Sequence, residues 1–320
     1  MKKMSASAPV DDIQLERQAR KYVAGLNGQL PSREYLHSIS NQHGADLATT
    51  VFYHSIFSSP EYNRFIAAID RQKIAEAPYK TEIKLFIVPA FFYKEYPSFG
   101  GGGEHILNVA RKLGLDAEVV KTISTGSVRE NAGILLDTLM KCTHKEIWVI
   151  SMSKGSAEVR LMYQQFSDKV PVEKISHWFN VGGLTYGSQF VDDMMRSPFR
   201  RAKTRAICLA TGAQFRALHE LQTHHPFWQE AFIPPENTRI TNILGVPLSS
   251  HIERTLVTRY NRIKALGPND GMVLLVDTLV MPGMIYPIWG ADHYMRDARV
   301  IPVLYRMFSH FLEQKSTSAQ

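Results

Sequence analysis

A chain of 320 residues with 44% hydrophobic and 21% charged residues is long enough to bury a large core and too apolar to be disordered throughout. Its formal net charge of +7 admits an anionic partner, while its two cysteines are too few for a disulfide framework or a four-ligand zinc site. No run reaches the roughly 18 apolar residues of a membrane-spanning helix, and the opening MKKMSASAPVDD lacks a signal-peptide apolar core, so a soluble, cytoplasmic protein in a reducing compartment is expected.

Disorder is expected only in the first ten or so residues and in the Ser-rich tail from Ser316. Residues 11–80 place apolar side chains at spacings of three and four, as in IQLERQARKYVAGL and LATTVFYHSIF. Breaks fall at Asn27-Gly28, Pro31, His43-Gly44 and Ser59-Pro60. This pattern predicts a helical N-terminal extension over 1–80. It carries no chemistry-bearing motif and offers a surface for a homodimer or a partner.

From Lys84 the pattern alternates. Strands are predicted at 85–92, 117–123, 146–150, 175–181, 239–246 and 284–290, and helices at 104–113, 128–140, 157–166, 252–266 and 300–312. Strand and helix in turn predict an α/β domain over 81–315 with a mainly parallel sheet flanked by helices. Residues 184–238, rich in aromatics, Met and Pro, break the alternation as an inserted cap or lid. Within them Arg196, Arg200, Arg201, Lys203 and Arg205 form a basic stretch. It faces solvent, or an anionic partner such as a carboxylated or phosphate-bearing ligand or a membrane surface. No recognition-helix pattern or basic and aromatic interleaving accompanies the charge, so nucleic acid is not expected.

The run VISMSKGSAEVR at 149–160 ends an apolar strand on small residues and starts a helix. A serine hydroxyl needs a neighbouring base to become nucleophilic. A tight strand-to-helix turn presents such a hydroxyl above the sheet, beside the amides of a helix N-terminus. Ser-Met-Ser-Lys-Gly at 151–155 is G-x-S-x-G with Ser151 in place of the first Gly, which sets Ser153 at the turn.

On these residues the chain resembles the α/β-hydrolase superfamily, and within it the lipase-like and esterase-like serine hydrolases, over about residues 84–312. The resemblance implies the chain order nucleophile, acid, histidine. GPNDGMV at 267–273 and PIWGADHYM at 287–295 then supply Asp270 and His293. Asp277 is the fallback acid, and Asp292 is too close to His293 to orient it. Asn-Asp-Gly is also an ordinary turn on conformational grounds. The oxyanion donors implied are the amide of Lys154 and one after the first strand, where Pro89, Ala90 and Phe91 stand in place of the His-Gly pattern. Phe91 is the expected donor and Phe92 the next choice. FNVGGLTYGSQFVDD at 179–193 is similar to the strand and loop that open the lid region of lipases. Beyond it Phe190, Met194, Met195, Phe199, Phe215, Phe227, Trp228 and Phe232 either line an acyl pocket or pack the insertion.

Two rival motifs are weaker. HELQTHH at 219–225 has Thr223 where H-E-x-x-H needs its second His, so no metal is expected. Gly100 to Gly103 fits neither a dinucleotide nor a Walker pattern and reads as a mobile oxyanion or lid loop, or as simple flexibility. The expectation is cleavage of a small-molecule carboxylic ester or thioester through an acyl-enzyme on Ser153, without cofactor. Alternatives are an acyltransferase or cyclising thioesterase on the same intermediate, and a non-catalytic binding module on the same fold.

Overall fold

The computed structural model describes residues 13–75 and 77–318. Four helices come first: α1 (Ile13–Ala24), α2 (Arg33–His43), α3 (Ala45–Ser58) and α4 (Pro60–Arg71). Their limits follow the sequence breaks. The Ser32 hydroxyl accepts the Tyr35 N–H at 3.2 Å to cap α2, Gly44 takes a φ of 93°, and Pro60 opens α4, where a missing N–H is harmless.

The sheet contains β1 (Ile83–Val88), β2 (Asp116–Val119), β3 (Glu146–Met152), β4 (Ile175–Val181), β5 (Arg239–Val246) and β6 (Met284–Trp289). Their order is β2-β1-β3-β4-β5-β6, and every adjacent pair is parallel. Helices α5 (Glu104–Lys112), α6 (Val128–Met140), α7 (Lys154–Gln165) and α13 (Val300–Ser318) provide the connections and the closing segment. Both faces of β3 are apolar, as a strand covered on two sides requires. Trp148, Ile150 and Met152 join the cluster of α1–α5 and α13, while Ile147 and Val149 join that of α6 and α7. The N-terminal helices thus share one hydrophobic cluster with the sheet. Polar clips reinforce it: the Tyr286 hydroxyl donates to Asp70 Oδ1 at 2.6 Å, the Ser249 hydroxyl to Asp46 Oδ2 at 2.6 Å, and Arg33 pairs with Asp277.

Residues 184–238 hold α8 (Gln189–Met195), α9 (Pro198–Thr211), α10 (Phe215–Glu220) and α11 (Pro226–Gln229), and α12 (Val257–Ile263) follows β5. The five basic residues at 196–205 are all exposed. No described helix is long and apolar enough to cross a membrane.

Several boundaries differ from the sequence reading. The first strand ends at Val88 rather than at 92, because Pro89 has no N–H for the ladder and residues 91–95 coil into a turn. The helix expected at 157–166 begins at Lys154. The one expected over 252–266 shrinks to α12 and a short 3-10 turn; the Glu253 N–H donates to Asp292 Oδ2 at 2.8 Å instead of continuing a helix. The tail expected to be disordered from Ser316 continues α13 to Ser318. Residues 1–12, 76 and 319–320 lie outside the described residues.

Candidate active site

The strand order reverses between β1 and β3, so the loops leaving their C-terminal ends diverge and open a crevice. Ser153 stands there, between β3 and α7, with φ 49° and ψ −119°. That backbone is costly for a residue with a Cβ, on the order of 1–3 kcal/mol, and its surroundings hold it. The Ser153 N–H donates to Val181 O at 3.3 Å, and its carbonyl accepts from Ser156 N at 3.1 Å and Leu184 N at 3.0 Å. Gly155 has to be glycine, since a Cβ there would lie 2.7 Å from Val88 O. Ser151 explains the departure from G-x-S-x-G. Fully buried, its hydroxyl accepts from Trp178 Nε1 at 2.8 Å and bonds Ser156 Oγ at 2.8 Å, tying the turn to β4.

His293, in the loop after β6, places Nε2 2.9 Å from Ser153 Oγ and Nδ1 2.8 Å from Asp270 Oδ2. A carboxylate only accepts, so the ring proton sits on Nδ1 and the Nε2 lone pair faces the hydroxyl. Asp270 Oδ1 accepts the N–H groups of Met272 and Val273 at 2.9 Å each, and the His293 N–H donates to the Asp270 carbonyl at 3.1 Å. The Asn-Asp-Gly segment is also a turn: Asn269 Oδ1 accepts the Gly271 N–H at 3.0 Å. Turn and carboxylate placement are one structure.

The other acids face elsewhere. Asp277 pairs with Arg33 and accepts from Gln189 Nε2, and burial pushes its carboxyl up to about 6 despite the guanidinium. Asp292, also raised by burial, accepts the N–H groups of Glu253 at 2.8 Å and Tyr294 at 3.0 Å.

Among the described residues the N–H groups of Lys154 and Phe91 donate to no protein acceptor, whereas the Phe92 N–H donates to Ser124 O at 3.0 Å. Phe92 is thereby removed as a donor. The Lys154 side chain is buried, 1% exposed, a structural role that the turn motif alone does not signal. Its Nζ pairs with Glu158, donates to Gly126 O at 3.1 Å and lies 5.2 Å from the centre of the Phe91 ring. Asn131 Nδ2 donates to the same Glu158 oxygen at 2.8 Å. One side chain therefore fixes the residues that carry both free amides.

These groups open on a cavity of about 490 Å³ whose wall includes Ser153, His293, Phe91, Phe190 and Met194. The other proposed liners do not reach it. Met195, Phe227, Trp228 and Phe232 are buried in the cluster of α6, α7 and the insertion, Phe215 packs against that cluster, and Phe199 is 79% exposed. Liners that periodicity did not single out include Ile207, Cys208 and Leu218. The Gly-rich loop shapes the rim. A Cβ on Gly103 would lie 2.5 Å from Ile87 Cγ2, and the Gly101 carbonyl accepts the Ala90 N–H at 2.8 Å. Phe99 stacks on Tyr294, beside His293, at 4.7 Å. His219 and His225 pair edge to face at 5.8 Å, away from the cavity wall.

Solved structures share this architecture. A metagenomic carboxyl esterase superposes with a TM-score of 0.60 at 17% identity, over 91% of this chain and 95% of that one. The mature lipase BlEst2 of Bacillus licheniformis superposes with a TM-score of 0.51 at 16% identity, over 76% of this chain and 96% of that one. The fold is the α/β-hydrolase fold. No protein-family model matches the sequence, and no curated protein matches it.

Proposed function

We propose that the chain is a serine hydrolase cleaving carboxylic esters or thioesters through an acyl-enzyme on Ser153. The observation that carries this reading is the unbroken Ser153 Oγ to His293 Nε2 to Asp270 sequence, at 2.9 and 2.8 Å, opening on an apolar cavity. Ser153 Oγ attacks the carbonyl carbon as His293 takes its proton, and Asp270 stabilises the imidazolium. The N–H groups of Lys154 and Phe91 bind the oxyanion, a preorganised pair in which each donor contributes about 3 kcal/mol. His293 then protonates the leaving alcohol or thiol, and water releases the acid by the same steps in reverse. The likeness to a carboxyl esterase and a lipase agrees with this chemistry. Residues 184–238 act as the cap, contributing Phe190, Met194 and Leu218 to the acyl cavity.

The test is labelling by a fluorophosphonate together with the nitrophenol burst from a p-nitrophenyl ester. Both are expected in the wild type and absent in Ser153→Ala. An unreactive wild type, or a Ser153→Ala protein that still labels, would overturn the proposal.

A further inference from the structure

The cavity wall is mostly apolar, and beyond Ser153 and His293 it carries one fixed charge. Arg259, on α12 and half-buried, is the one Lys or Arg lining it among the described residues, and no Asp or Glu lines it. Its guanidinium lies 5.5 Å from the centre of the Phe190 ring, and Nη1 reaches the thioether of Met272 at 3.5 Å. A thioether is a weak acceptor. No carboxylate of a described residue lies within ion-pairing distance of Arg259, and Asp193 on α8 is already shared by Arg200 and by Arg262 at 3.5 Å. Arg262 also lies 5.8 Å from the Phe190 ring centre, and the nearby Asp193 is engaged by guanidiniums other than Arg259. A partly desolvated guanidinium beside apolar groups gains most from a ligand anion, and its planar fork matches a carboxylate in a two-bond geometry.

We propose that Arg259 is an anion-recognition residue of this cavity, selecting esters that carry a second, free carboxylate. The half-esters of dicarboxylic acids are the class with that group on the acyl side, and esters of carboxylated alcohols or phenols have it on the leaving side. Arg259 and Met272 line the same cavity as Ser153 and His293. One ligand can therefore span Arg259 and Ser153. The proposal deepens the hydrolase reading, and it rests on that reading for the ester bond but not for the binding.

Binding of uncleaved amides separates the two. Isothermal titration of the full chain compares glutaric monoanilide with pentananilide for the acyl side, and 4-butyramidobenzoate with butyranilide for the leaving side. One anionic probe is expected to bind about five- to tenfold more tightly than its neutral partner at low salt, and less so at high salt. Arg259→Gln brings that ratio to near one, Arg259→Lys keeps part of it, and Ser153→Ala leaves it unchanged. The preferred pair identifies the side that carries the anion. Ratios near or below one for both pairs, no binding of any probe, or a ratio untouched in a folded Arg259→Gln protein would overturn the assignment. An Arg259-dependent preference in a protein that cleaves no ester would keep the anion site and remove the hydrolase reading. Hydrolysis without that preference would do the opposite.

Discussion

Two buried pairs, each with a carboxylate, flank Ser153, and they differ in what lies at their far ends. In the Asp270 and His293 pair both side chains are 5% exposed, and the ring's second nitrogen faces a hydroxyl at the cavity. In the Lys154 and Glu158 pair both are 1% exposed, and the ammonium is spent on Glu158, the Gly126 carbonyl and the Phe91 ring. Burial raises the Glu158 carboxyl above its ordinary range, opposed by Lys154 and Asn131. The contrast separates a pair that can pass a proton outward from one that can only hold its neighbours still. A buried polar pair becomes reactive through the group left facing the cavity, and not through burial itself.

The comparison can be broken by substitution, and the first pair carries the largest expected effect. Asp270→Asn should lower kcat/KM by about 10⁴-fold with the fold intact, since the imidazole loses the partner that sets its tautomer. A loss below tenfold in steady-state kinetics would remove Asp270 from its role. Lys154→Met leaves Glu158 buried without its cation and should cost about 3–5 kcal/mol of stability. Lys154→Met with Glu158→Leu should restore most of that in denaturant unfolding, while kcat stays about tenfold low because Phe91 has lost its clamp. Full recovery of kcat in the double variant would reduce the pair to packing. The smallest effect concerns the turn between them. Ser153→Gly should be about 1 kcal/mol more stable than Ser153→Ala, because glycine accepts a φ of 49° without strain. Equal melting of the two inactive proteins would show that the turn stores none.

The parts legible in the sequence are those set by local rules. The breaks at Gly28, Pro31, Gly44 and Pro60 separate α1 to α4 because proline and glycine act on the backbone wherever they stand. Ser153, Asp270 and His293, which hydrogen-bond in sequence, stand in the chain order that the resemblance implies, nucleophile, acid, histidine. What escaped depends on side chains meeting from distant segments. Periodicity made Trp228 and Phe232 look like pocket walls, although they fill a core. Lys154 reads only as the bearer of an amide, since its partners Gly126 and Phe91, and the Asn131 that shares Glu158 with it, lie far from it in the chain. Arg259 lies within an amphipathic pattern in which nothing local says that no acid will meet it.

The clips between the first helices and the last strands have a further consequence for how the chain is made. Asp70 bonds a tyrosine 216 residues downstream, and Arg33 an aspartate 244 residues downstream. At about 5–20 residues per second on a ribosome, the tyrosine follows roughly ten to forty seconds after its partner. During that interval β6, the strand that α3 and α4 pack against, has yet to be made. The nascent polypeptide is therefore most exposed to aggregation before β6 emerges, and its birth depends on whatever shields those helices while they wait.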